Sequence, residues 1–267
     1  MPSKTIAQLF NLAGKVAIVT GGSMGIGYGI VRRLVEAGAK TVIADIAVKE
    51  GEAKAKGFQQ QGKAVTFIKT DVSSERDVKN LIAKTVKQYG RLDIMVNNAG
   101  IFPSKPVLEM DLKLWEKIQA VNLRSVFLGC REAAKAMAKN PGGVIINVAS
   151  IDALHPSMVG LAAYDASKHG VWGFTKNFAL EVAKQSIRVN AIAPGGISTE
   201  GVEAMTEGAV KTGATMNESI KAFTAKIPLG RFGEPDEIAT VALFLSSDAS
   251  AYMTGEIVVV DGGFLLA

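Results

Sequence analysis

Apolar residues recur along the chain in two rhythms. Short runs rich in β-branched residues are almost continuously apolar: VAIVT (16–20), TVIAD (41–45), AVTFIKT (64–70), LDIMVNN (92–98), GVIINVAS (143–150), RVNAIAP (188–194) and EIVVVDG (256–262). Between them lie segments with apolar positions at helical spacing, such as IGYGIVRRLVEAG, SERDVKNLIAKTVKQYG and LKLWEKIQAVNLRSVFLGCREAAKAMAK. A strand with one wet face would alternate apolar and polar, so these runs predict strands covered on both faces. The alternation predicts an α/β protein: a doubly wound, seven-stranded, mostly parallel sheet with helices on both faces. No low-complexity linker interrupts it, so residues 1–267 read as one domain with a short extension at 1–13. The longest break, about 195–234, is rich in Gly, Met and Thr and reads as a segment covering a substrate site.

Composition narrows the function without choosing it. Apolar residues make up 48% of 267, enough for a large core. Cys130 is the single cysteine, and no CxxC or His/Cys cluster occurs. No metal site and no disulfide are therefore expected, and a reducing, cytoplasmic setting is. The N-terminal segment lacks a signal-peptide pattern, and no apolar run reaches the ~18 residues of a membrane span. The net charge of +5 is spread among acids, as in KEGEAKAKG and SSERDVKN, so nucleic-acid binding is not expected.

Candidate chemistry begins after the first strand, where TGGSMGIG (20–27) opens directly into a helix. Glycines there allow a tight turn and close approach to a pyrophosphate, and the helix start offers unpaired N–H groups. Eighteen positions after Gly27 the second strand ends at Asp45, placed to accept hydrogen bonds from both adenosine ribose hydroxyls. A carboxylate there repels the 2′-phosphate of NADP, and neither Met24 nor Ile46 supplies a cation for it, so NAD is favoured. Tyr164 and Lys168, in YDASK, lie four apart on one face of a helix.

With these motifs the chain resembles the short-chain dehydrogenase/reductase family of single-domain Rossmann enzymes. The resemblance runs from about residue 12 to 263: TGGSMGIG, then DV at 71–72, NNAG at 97–100, Asn122, Ser150, YDASK, PGGIST at 194–199 and TGEIVVVDGG at 254–263. It implies that Thr20, Gly21, Ser23, Met24, Gly25, Ile26 and Gly27 surround the phosphates. Asp45, Ile46, Asp71 and Val72 would hold the adenosine half. Asn97, Asn98, Ala99 and Gly100 would lie beneath the dinucleotide, with Pro194, Gly195, Ile197 and Thr199 towards the nicotinamide. Asn122, Ser150, Tyr164 and Lys168 match the family's catalytic tetrad.

The implied chemistry interconverts a secondary alcohol and its ketone. Tyr164 is the expected acid/base: its ordinary pKa of about 10 would be lowered by the Lys168 ammonium and the cationic nicotinamide. Lys168 would also hold the nicotinamide ribose. Ser150 would donate to the reacting oxygen, and Asn122 would hold a water against Lys168. Ser150 and Tyr164 are fourteen positions apart, one more than the family's commonest spacing, with the extra residue absorbed by IDALHPSMVGLAA. Ser150, Asp152, His155 and Gly196 are the candidate substrate contacts, while His169 reads as a packing or capping residue. A homotetramer is implied, joined through helices near 111–138 and 164–184 and the last strand, with the apolar tail Phe264–Ala267 covered by a neighbour. NADPH-dependent carbonyl reduction and a non-catalytic dinucleotide sensor remain alternatives. The substrate alcohol is not legible.

Overall fold

The computed structural model describes residues 3–140, 142–200 and 222–267. Its seven strands follow the seven apolar runs: β1 (Val16–Thr20), β2 (Lys40–Asp45), β3 (Val65–Lys69), β4 (Ile94–Asn97), β5 (Gly143–Val148), β6 (Ile187–Pro194) and β7 (Ile257–Val260). They lie in the order β3-β2-β1-β4-β5-β6-β7. The expectation was a mostly parallel sheet; every pairing among these strands is parallel. Neighbouring residues of one strand serve opposite cores. Ala17, Val19 and Ile43 pack on one face, and Ile18, Val42 and Ala44 on the other. Burial on both faces is why the sequence shows runs rather than alternation.

The helices are α1 (Ile6–Leu9), α2 (Gly25–Glu36), α3 (Val48–Gln60), α4 (Glu75–Tyr89), α5 (Leu112–Gln119), α6 (Ser125–Met137), α7 (Ala162–Val182) and α8 (Pro235–Ser246). The extension at the N-terminus carries α1, which has no buried residue. Residues of α2, α3 and α8 pack into one core, and residues of α4, α6 and α7 into the other. Local chemistry sets the ends: α4 starts where Ser74 accepts the Asp77 N–H, and stops at Gly90, whose φ of 80° a side chain would resist.

The segment expected to be one helix over 112–139 is divided. A π-helical turn over Ala120–Arg124 separates α5 from α6 and carries Asn122. A buried polar chain also links the second core. Asn97 donates to Asn147 Oδ1 at 2.9 Å, and Asn147 donates to Thr175 Oγ1 at 2.9 Å. The Cys130 thiol bonds Asn147 Oδ1 at 3.4 Å, and burial pushes its pKa up to about 12. Gly129 lies so close that an added Cβ would sit 2.1 Å from Asn97 Oδ1.

Chain order reverses between β1 and β4, and the crevice at their C-terminal ends is where doubly wound sheets bind ligands. Of the expected covering segment, residues 201–221 lie outside the described residues.

Candidate active site

The glycines of the β1–α2 turn are required by its backbone angles and close contacts. Gly21 and Gly25 have φ of 62° and 50°, values that suit residues without a Cβ. A Cβ on Gly27 would lie 2.0 Å from the Gly21 carbonyl oxygen. Asn98, just after β4, closes the turn: its Nδ2 donates to the carbonyls of Thr20 at 2.9 Å and Gly21 at 3.2 Å. Helix α2 has no side-chain cap. Its Gly25 N–H instead donates to the Glu200 carboxylate at 3.1 Å, so an anion already occupies the helix start.

Two adjoining clefts open here, of about 210 and 570 Å³, sharing Ile26, Asn98, Gly100, Phe102 and Thr199. The larger is lined by Gly21, Met24, Gly25, Ile26 and Gly27 from the turn, Asp45 and Ile46 after β2, and Asp71 and Val72 after β3. Ala99 joins them from the end of β4. The Asp45 carboxylate accepts the N–H groups of Ser23 and Ala47, both at 3.1 Å, which fixes it against the turn. Pro194, Gly195, Gly196 and Ile197 line the smaller cleft with Ser150, Asp152, Tyr164 and Lys168. A narrow glycine cradle and a carboxylate at the β2 end fit a dinucleotide, whose pyrophosphate would take the place of Glu200 at the helix start.

At the inner end, α7 presents Tyr164 and Lys168 to one side. The Lys168 Nζ lies 5.5 Å from the Tyr164 ring centroid and donates to the Val148 carbonyl at 2.8 Å. Burial lowers the Lys168 pKa to about 8, opposed by the negative charge of Asp152. The tyrosine departs from the expectation. Its pKa is raised, chiefly by burial and further by the charges of Asp152 and Asp165, with a Ser150 hydrogen bond opposing. A lysine 5.5 Å from the ring does not offset two carboxylates and desolvation. The phenol edge packs against Phe102, ring centroids 6.2 Å apart.

Ser150 follows β5 and starts a 3-10 turn over Ile151–Ala153. Its hydroxyl donates to Asp152 Oδ2 at 2.7 Å, and Asp152 Oδ1 accepts the Ser157 N–H at 3.0 Å. Ile101 and Phe102 on the cleft walls lead into a loop over residues 103–110, which is joined to the loop 154–161 where Lys105 N–H donates to the Gly160 carbonyl at 2.9 Å. Gly160 has φ of 92°, and a Cβ on it would lie 2.5 Å from Ser104 Oγ.

Four expected site residues point elsewhere. Thr20 Oγ1 is buried and accepts the N–H groups of Asn98 and Ala99, tying β1 to β4. Ser23 is buried, and its hydroxyl has no hydrogen-bond partner among the described residues. Asn122 is committed to the chain: it accepts the Ile101 N–H and donates to the Ile101 carbonyl, both at 2.8 Å, and donates to Ser167 at 3.1 Å. The His155 side chain is exposed and bonds the Pro156 carbonyl outside the cleft walls. His169, expected to pack or cap, is exposed and bonds the Asp165 carbonyl within its own helix. Phe264 packs on Phe223 of its own chain, ring centroids 5.2 Å apart, whereas Leu266 is exposed. Sequence reasoning missed Thr70, Ile101, Phe102, Lys117, Val121 and Glu200 on the cleft walls. Ile101, Phe102 and Glu200 immediately follow quoted motifs, the one signal that could have found them.

A family model described as enoyl-(acyl carrier protein) reductase matches residues 21–265. The chain is 42% identical over 253 residues to 3-oxoacyl-[acyl-carrier-protein] reductase of Chlamydia pneumoniae, covering 94% of this chain and 97% of the relative. A short-chain type dehydrogenase/reductase from Mycobacterium marinum superposes with a TM-score of 0.91 at 35% identity, over 98% of this chain and all of that one. A structure described as "a putative NAD(P) dependent gluconate 5-dehydrogenase from Beutenbergia cavernae", with NADP bound at low occupancy, gives 0.89 at 32% identity, over 97% of this chain and 100% of that one.

Proposed function

This chain belongs to the short-chain dehydrogenase/reductase family, and from that membership we propose that it is an NAD-dependent oxidoreductase interconverting a secondary alcohol and its ketone. The observation that carries the reading is one continuous crevice with Tyr164, Lys168 and Ser150 at its inner end and Asp45 at the other. Asp45 supports NAD because a 2′-phosphate would meet its negative charge. Among the described residues, Lys117 is the cation lining the larger cleft, and it belongs to α5 rather than to the β2 end.

When bound, the dinucleotide supplies the hydride acceptor or donor. Tyr164 takes the proton of the alcohol oxygen, or returns it to the ketone. Ser150 exchanges its Asp152 bond for one to the reacting oxygen. Lys168 holds the ribose, the cationic nicotinamide when bound favours the phenolate, and Asn122 fixes the Ile101 backbone beside Gly100. We also carry a cytoplasmic homotetramer joined through α5–α6, α7 and β7. The half-exposed Trp115 and Phe127 on α5 and α6 support it.

Initial rates with NAD and NADP over a panel of secondary alcohols test the reading. Faster turnover with NAD is expected. A clear NADP preference overturns the role of Asp45 in favour of NADPH-dependent reduction. Tight NADH binding with no turnover on any alcohol or ketone favours the sensor instead. Light scattering tests the tetramer.

A further inference from the structure

The smaller cleft holds a carboxylate that the reaction just described does not consume. Asp152 is 5% exposed and lines the cavity beside Tyr164, Lys168 and Phe102. It takes part in no ion pair among the described residues. Its oxygens accept two hydrogen bonds, from Ser150 Oγ at 2.7 Å and Ser157 N–H at 3.0 Å. An ionised carboxyl has about four acceptor positions, so about two remain. A buried carboxylate without an ion-pair partner is costly unless donors reach it, and this one lines the cavity.

We propose that Asp152 selects the substrate: it accepts a hydrogen bond from a hydroxyl on the carbon next to the reacting one, making the preferred pair a neutral vicinal diol and its α-hydroxyketone. The inference rests on the alcohol–ketone reading of the same site. Geometry fixes the neighbouring position. The reacting oxygen is held by Tyr164 and Ser150, and when Ser150 turns to it, the acceptor it vacates on Asp152 Oδ2 lies one hydrogen-bond length beyond, 2.7 Å from Ser150 Oγ. Gauche oxygens of a vicinal diol are separated by about the same length as such a bond. In the diol the reacting carbinol carbon gives its hydrogen and two electrons to oxidised dinucleotide, its hydroxyl proton passes to Tyr164, and a C=O bond forms. The second hydroxyl is unchanged. A carboxylate or phosphate on that carbon would meet Asp152 as a like charge.

The test compares kcat/KM for 2,3-butanediol, 2-butanol and 3-hydroxybutyrate in wild type and Asp152→Ala. The wild type is expected to favour the diol over 2-butanol by about 10- to 100-fold, the range for hydrogen bonds to a charged group. It should be slowest with the anion. In Asp152→Ala the diol-to-monoalcohol ratio should fall towards one and the anion should gain relative to 2-butanol. NADH binding by fluorescence, unchanged within about twofold, reports that the variant is folded. A wild-type ratio near one, a ratio unmoved by the substitution, or a preference for the anion overturns the inference while leaving the oxidoreductase reading intact. Turnover of none of the three, nor of any other alcohol, overturns both.

Discussion

Lys168→Met in the cofactor-free protein isolates what burial does to the lysine. Methionine keeps the length and apolar stem and removes the ammonium. The lysine is 4% exposed, and its pKa falls from 10.5 to about 8. The folded state therefore releases this proton before the unfolded state does. Below pH 8 both states carry the charge and the burial penalty is complete. Between about pH 8 and 10.5 the unfolded chain binds more protons, so this group makes stability rise with pH. At 1.36 kcal/mol per pKa unit, wild type should gain about 2.5 kcal/mol over Lys168→Met between about pH 7 and pH 10. Urea unfolding of both proteins at the two pH values, with equal m-values, measures the double difference. Titrations of groups that do not sense Lys168 cancel between the two proteins. A difference that changes by less than about 0.5 kcal/mol, or that changes in the opposite sense, would refute the depressed lysine and with it the account of Tyr164's surroundings.

Tyr164→Phe should retain NADH binding while turnover falls by about 10²-fold or more; turnover near wild type would remove Tyr164 from acid/base work. Gly27→Ala forces a methyl to 2.0 Å from the Gly21 carbonyl oxygen. Fluorescence titration should show at least a roughly tenfold loss of NADH affinity, and an unchanged affinity would mean that the turn has room to spare. Gly129→Ala touches no cleft residue yet drives into Asn97. Thermal and urea unfolding should show a loss of about 2–4 kcal/mol, and a loss under about 0.5 kcal/mol would show the Asn97–Asn147 chain to be slack.

The architecture was legible because a parallel sheet buried on both faces leaves β-branched runs that no helix of this length shares. All seven runs, from Val16 to Val260, became strands of one sheet. The division of 112–139 was not legible, since one π turn displaces the apolar period too little to interrupt it. For the candidate site, spacing pointed to Gly21, Asp45, Tyr164 and Lys168, and the family resemblance to Ser150, all of which lie on adjoining cleft walls. What spacing could not give was the field at Tyr164. The i, i+4 lysine suggested a lowered phenol, but Asp152 arrives from a different element and burial outweighs the near cation. Likewise Glu200 at the start of α2 is 175 residues distant in sequence from its partner Gly25, and no local pattern foretells it.

The main-chain bond between Lys105 and Gly160 has an evolutionary consequence. Ser150, Tyr164 and Lys168 are rooted in the end of β5 and in α7, whereas the loops 103–110 and 154–161, which adjoin the cleft walls in sequence, are fastened to each other by backbone atoms. A backbone fastening is indifferent to side-chain identity, apart from the glycine that its tight corner requires. Mutations at 103–110 or 154–161, short of Phe102 where the first loop touches Tyr164, can thus accumulate and shift both loops together. Descendants of such a protein inherit the reaction as a fixed trait and the choice of alcohol as a variable one.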